Sequence, residues 1–143
     1  MRLIGFVLAV TILTGCIPPN TALINALAPA TTIGNSLECD ETTCKQSWER
    51  SQFWIAKHSK WKIQTATDVL LQTFNPTQYD PSFGFSITKE PLGNGRYRIT
   101  MEAVCANSFG CSPNDTEVKN AFYYYVANGK DLLEGVPRLI AIR

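Results

Sequence analysis

The chain has 143 residues, 45% of them hydrophobic and 17% charged, with five cysteines, one histidine and a formal net charge of +1. That length holds one sizeable core, and the apolar fraction is that of a globular chain rather than a disordered one. Setting aside a removable N-terminal segment that contains Arg2 leaves twelve basic against twelve acidic side chains, which offers no electrostatic footprint for nucleic acid.

Met1-Arg2 is a short positive start, and Leu3 to Leu13 is an apolar run broken only by Gly5 and Thr11. Small residues close it, which is the grammar of a secretory signal peptide over 1–15. The run is shorter than the roughly 20 apolar residues that a spanning helix needs, so export or anchoring is expected rather than a transmembrane span. At the junction, Leu13-Thr14-Gly15-Cys16 resembles the lipobox of bacterial lipoproteins. The resemblance implies cleavage behind Gly15 and acylation of Cys16, which becomes the first residue of the mature chain. Two or three acyl chains, at about 0.8 kcal/mol per buried methylene, make such anchoring long-lived. Ile17 stands where the family's sorting rule would place an Asp for inner-membrane retention, so the outer membrane is the implied destination, with the domain facing the periplasm or the cell surface.

From Ile17 to Leu37 the chain carries no charge and contains Pro18, Pro19, Pro29 and Gly34. This reads as a lipidated tether over 16–38. Ala22 to Ala28 is more apolar than a plain spacer, which makes Leu23, Ile24 and Leu27 candidate docking residues for a partner, against the alternative that the segment folds back on its own domain.

The domain is expected over 39–143. Thr42 or Thr43 can cap a helix from about Cys44 to Lys57, with Trp48, Ser51, Gln52 and Ile55 at helical spacing. Lys60 to Phe74 alternates strictly, but one strand of that length would run about 50 Å, so a break near Ala66 to Asp68 is expected. Phe83, Phe85 and Ile87 alternate with polar or small residues, Pro91 to Gly95 reads as a hairpin turn, and Tyr97, Ile99, Met101, Ala103 and Cys105 form one face of the returning strand. Ser112-Pro113-Asn114-Asp115 signals a second helix start, with Asn128-Gly129 as its stop. Leu132 to Arg143 is a candidate short strand. The expected fold class is α+β: an antiparallel meander of about three to four strands packed with two helices and bonded by disulfides.

With Cys16 assigned to the anchor, Cys39, Cys44, Cys105 and Cys111 remain, an even number in an exported domain. Three disulfide connectivities are open, and local pairs are favoured because each closes a short loop at a helix start. A zinc cage is the competing reading; the loops of four and five residues exceed the usual two-residue spacing, and an oxidising compartment removes thiolates. No metal or cofactor is expected.

Phe122-Tyr123-Tyr124-Tyr125 covers most of a helix circumference, so Tyr123 and Tyr124 are candidate exposed contact residues, as is Trp54, against the alternative that a second layer covers them. Lys45, Arg50, Lys57, Lys60 and Lys62 stand against Glu49 alone, a patch suited to anionic headgroups or an acidic partner. His58 is the only histidine, no carboxylate pair is singled out by spacing, and no phosphate-cradling glycine loop is present, so no catalytic site is expected. Two blocks, Trp48 to Pro76 and Cys105 to Pro113, resemble a group of small uncharacterised exported proteobacterial proteins; the resemblance implies one folded domain and a Cys105–Cys111 pair, and nothing about ligand or reaction. The expected role is a non-enzymatic binding or scaffold component of an envelope protein assembly. The alternative is a binding module for a small ligand or glycan.

Overall fold

The computed structural model describes residues 21–30 and 34–134. The elements run in the order α1 (Thr21–Leu27), a 3-10 turn (Ala28–Ala30), β1 (Leu37–Asp40), α2 (Glu41–His58), β2 (Ile63–Ala66), β3 (Leu70–Thr73), β4 (Gly84–Gly93), β5 (Arg96–Val104) and α3 (Asp115–Asn128). All five strands form one antiparallel sheet in the order β1-β5-β4-β3-β2. Strands β2 to β5 are the expected meander. The fifth strand, β1, comes from the stretch read as tether and domain edge and adds to the far side of β5, with Leu37 opposite Ile99.

Alternation sorts the sheet into two faces. Leu71, Thr73, Phe85, Ile87, Ile99 and Met101 are buried, whereas Ser86, Thr88, Thr100 and Glu102 on the other phase stay partly or fully exposed. Glu38 pairs with Arg98 at 2.9 Å and with Arg96 on that solvated side. One covered and one wet face is the usual economy of an antiparallel sheet.

Helix α2 starts three residues earlier than expected. Asp40, not Thr42 or Thr43, is the cap: its carboxylate accepts from the Thr42 and Thr43 amides at 3.0 and 2.9 Å, and the Thr43 hydroxyl accepts from the Asp40 amide. A carboxylate at a helix N-terminus satisfies orphan amides and meets the positive end of the helix dipole, so it wins over a threonine two residues on. The same competition moves the start of α3. Asn114 caps it, exchanging bonds with Glu117 at 2.8 and 2.9 Å, and Ser112-Pro113 is a cis turn ahead of the helix instead of its first residues. The expected stop holds: Gly129 is left-handed, with φ 73°, and its amide donates to the Tyr125 carbonyl at 2.7 Å.

The break in the long alternating stretch is a turn at Thr67, whose hydroxyl accepts from the Leu70 amide at 2.9 Å while its own amide donates to the Leu70 carbonyl. The hairpin turns at Asn94 and Gly95, both at positive φ. Leu132 is buried, Leu132 to Glu134 forms a turn, and the rest of the candidate C-terminal strand, 135–143, lies outside the described residues.

Trp54 sits where α2, α3 and the sheet meet, edge-on to Phe85 at 5.7 Å and to Phe122 at 5.4 Å. Arg50 ties the helices together by donating from Nη1 to the Val126 and Ala127 carbonyls at 2.9 and 3.2 Å, which satisfies orphan acceptors at the negative end of α3. The segment read as tether also joins this core. Leu27 and Ala30 are buried in it, so these two apolar side chains pack on the chain's own domain.

Candidate functional site

One end of the sheet concentrates what the core does not use. There β3 runs out into Phe74, β4 begins at Gly84, and β5 ends at Val104, opposite Gly84. Two loops leave from this end. The first crosses from Asn75 to Phe83, and the second is closed by the Cys105–Cys111 disulfide. They are tied to one another by the Asn107 side chain, whose Nδ2 donates to the Gln78 carbonyl at 3.0 Å.

Each loop displays an aromatic ring. Phe109 is 97% exposed and Tyr79 is 85% exposed, with Phe74 and Val104 about half exposed nearby in the chain. Phe109 does not hang from a slack segment. Its amide donates to Asn107 Oδ1 at 2.9 Å, the Gly110 amide donates to the Asn107 carbonyl at 3.0 Å, and Gly110 takes a positive φ. A turn inside a disulfide loop thus lifts the ring into solvent and limits the entropy lost when something covers it.

Beside the loops, a cleft of about 320 Å³ opens between the end of α2, the Pro81–Phe85 segment and the Ser112-Pro113 turn. His58 lies at its rim, with its ring 4.7 Å from that of Trp54. His58 Nε2 stands 2.8 Å from Asp131 Oδ2, and Lys57 Nζ stands 2.9 Å from the same oxygen. A carboxylate only accepts, so the histidine proton belongs on Nε2. Burial pushes the Asp131 carboxyl up, but the hydrogen bonds from Lys57 and His58 outweigh it and hold the group below its ordinary range. The hydrogen bond to Asp131 raises Lys57 in turn. Lys60 pairs with Asp80, which also receives the Ser82 hydroxyl.

The expected contact residues are redistributed by this geometry. Trp54 is 1% exposed and Tyr123 fully buried, so both are core residues rather than contact residues. The Tyr123 hydroxyl accepts from the Met101 amide at 2.8 Å. Tyr124 is half-buried, with its carbonyl accepting from the Asn128 side chain. Of the docking candidates in α1, Leu27 is buried in the core, Ile24 is 49% exposed, and the Leu23 side chain lies outside the described residues, as does Cys16. The four domain cysteines form Cys39–Cys44 and Cys105–Cys111, which removes them as a zinc cage. The basic run is partly spent inside the molecule, Arg50 on α3, Lys57 on Asp131 and Lys60 on Asp80.

Sequence reasoning missed Tyr79 and Phe109. The available signal was Asn107-Ser108-Phe109-Gly110 between two cysteines, a turn motif that places an aromatic at the tip of a closed loop. No protein-family model, no curated protein and no solved structure matches this chain.

Proposed function

We propose that the chain is an exported lipoprotein, anchored through Cys16 in the outer membrane, that works without catalysis as a binding or scaffold component of an envelope protein assembly. The export grammar of the first sixteen residues supports the anchor. The observation that carries the binding role is the pair of aromatic rings, Phe109 and Tyr79, held almost wholly exposed on two tied loops. A large ring kept in water has no structural use for the domain, whereas rigid exposed aromatics are the anchors that protein interfaces favour. The partner surface is an apolar pocket on an envelope protein, reached by the loop end of the domain.

A photoreactive phenylalanine analogue placed at 109 or 79 in cells tests this. A discrete protein adduct from both positions, with none from Val69 on the β2–β3 turn at the opposite end, is the expected result. Silence at 109 and 79 overturns the docking role. Incorporation of a palmitate analogue that vanishes in Cys16→Ser tests the anchor separately. Phe109→Ala and Tyr79→Ala should move folding stability by no more than about 0.5 kcal/mol, so placing the analogue at either position leaves the domain folded.

A further inference from the structure

Burial of Leu27 and Ala30 shortens the reach of the anchor. Leu27 is 5% exposed and Ala30 fully buried, and α1 and the turn after it pack on α3, so the chain is fastened to its domain from α1 onward. What is left between Cys16 and Thr21 is Ile17-Pro18-Pro19-Asn20. Those five residue steps span at most about 18 Å, against about 75 Å for a tether running freely as far as Cys39. The domain itself is about 35 Å across.

The surface at the end of this leash is uncharged. Thr21, Ile24, Asn25, Ala28 and Pro29 are the exposed residues among those described between 21 and 30, and the first ionisable side chain after Cys16 is Glu38. Ile24 is 49% exposed, although Leu27 on the same helix is buried. A branched apolar side chain among hydroxyl and amide groups suits the boundary between lipid headgroups and acyl chains, and no charge has to lose its water there. One such residue binds lipid weakly from free solution. A leash this short makes the contact intramolecular, and the high effective concentration of lipid keeps it populated.

We infer that α1 seats the domain on the lipid surface of the membrane that holds Cys16, with Ile24 in the headgroup layer. This seating depends on the lipid anchor proposed above and bounds where the docking loops can work. Every point of the domain, Phe109 and Tyr79 included, stays within about 55 Å of the anchor. The docking partner is then a protein exposed at that same membrane.

The test uses the chain from Cys16 onward, coupled through the Cys16 thiol to a maleimide phospholipid in phosphatidylcholine vesicles, while the other four cysteines stay in their disulfides. A photoreactive phenylalanine analogue at 24 should form an adduct with a fluorescent phospholipid, about tenfold more than the uncoupled chain gives. Energy transfer from the tryptophans to dansyl headgroups reports the height of the domain. Forty Gly/Ser residues inserted between Asn20 and Thr21, with a root-mean-square reach of about 35 Å, should lower that transfer about twofold. The same insertion between Ile33 and Gly34 should leave it unchanged, because α1 still fastens the domain and loop closure costs rise slowly with length. No lipid adduct from 24 in the coupled chain, or two insertions that act alike, would overturn the seating. Coupling supplies the anchor chemically, so a chain that takes up no palmitate analogue in cells refutes the natural anchor, and the vesicle outcomes refute the seating by themselves.

Discussion

Tyr123 shows how a single side chain can close a gap in a sheet. Strand β1 begins at Leu37, opposite Ile99, so beyond that point the edge of β5 away from β4 meets no strand among the described residues, and the Met101 amide takes the Tyr123 hydroxyl instead. Tyr123→Phe leaves that amide buried and unpaired, and should cost about 1–3 kcal/mol in urea unfolding. Thr73 plays the same part beyond the end of the β3–β4 pairing, its hydroxyl accepting from the Phe85 amide at 2.9 Å. Asp131 is one of the residues through which stability responds to acid, with Glu38, Asp40 and Asp80 held low in the same direction. Its carboxyl titrates below the ordinary 3.8 in the folded state, so its contribution is fully present above that value and is lost as pH falls through the lower folded one. Asp131→Asn should cost about 2 kcal/mol at neutral pH. The gap between variant and parent should narrow in denaturant titrations as pH falls below 3.8 and through the lower folded value, where the parent carboxyl protonates. The burial of Trp54 and Tyr123 was not readable from their positions in the sequence. A four-ring run on a helix must expose some members, and which ones depends on the strands and the helix that come to lie against it.

At the scale of elements, the short N-terminal helix separates a tether from a packed segment. Leu27 is buried and Ile24 half exposed on the same helix, so Leu27→Ala should destabilise the domain by about 2–4 kcal/mol while Ile24→Ala stays within about 0.5 kcal/mol. Equal, negligible effects would show that the segment does not pack on the domain in solution. The sequence had placed this stretch outside the domain because prolines and a lack of charge are the marks of a linker, yet its apolar residues were the warning that it had somewhere to go. The Cys105–Cys111 loop has a dual effect at this scale. Closing so short a loop removes about 2 kcal/mol of chain entropy from the unfolded state, and it also sets the attitude of Phe109. Replacing both cysteines by alanine should lower stability by that amount and weaken crosslinking from 109 even under conditions where the domain stays folded. The helix boundaries moved by two or three residues from their expected places, because several capping side chains stood close together and the stronger acceptor geometry, at Asp40 and Asn114, prevailed.

For the whole molecule, the two helices cover one face of the sheet, the other face is wet, and both edges are short, with β2 carrying a register irregularity between Ile63 and Thr65. Short, irregular edges resist pairing with other chains. Hydrophobic periodicity and turn residues were enough by themselves to determine the fold class, the two main helices and the hairpin, because each depends on neighbours within about a dozen residues, whereas the cysteine count favoured local disulfides without choosing among three connectivities. The addition of β1 to β5, the packing of Leu27 and Ala30, the burial of Trp54 and Tyr123, the pairing of His58 and Lys57 with Asp131 and the meeting of two loops around a cleft were decided only in the tertiary structure. Each of those is a contact between segments distant along the chain, and the exposure of a side chain is set by what such segments leave uncovered.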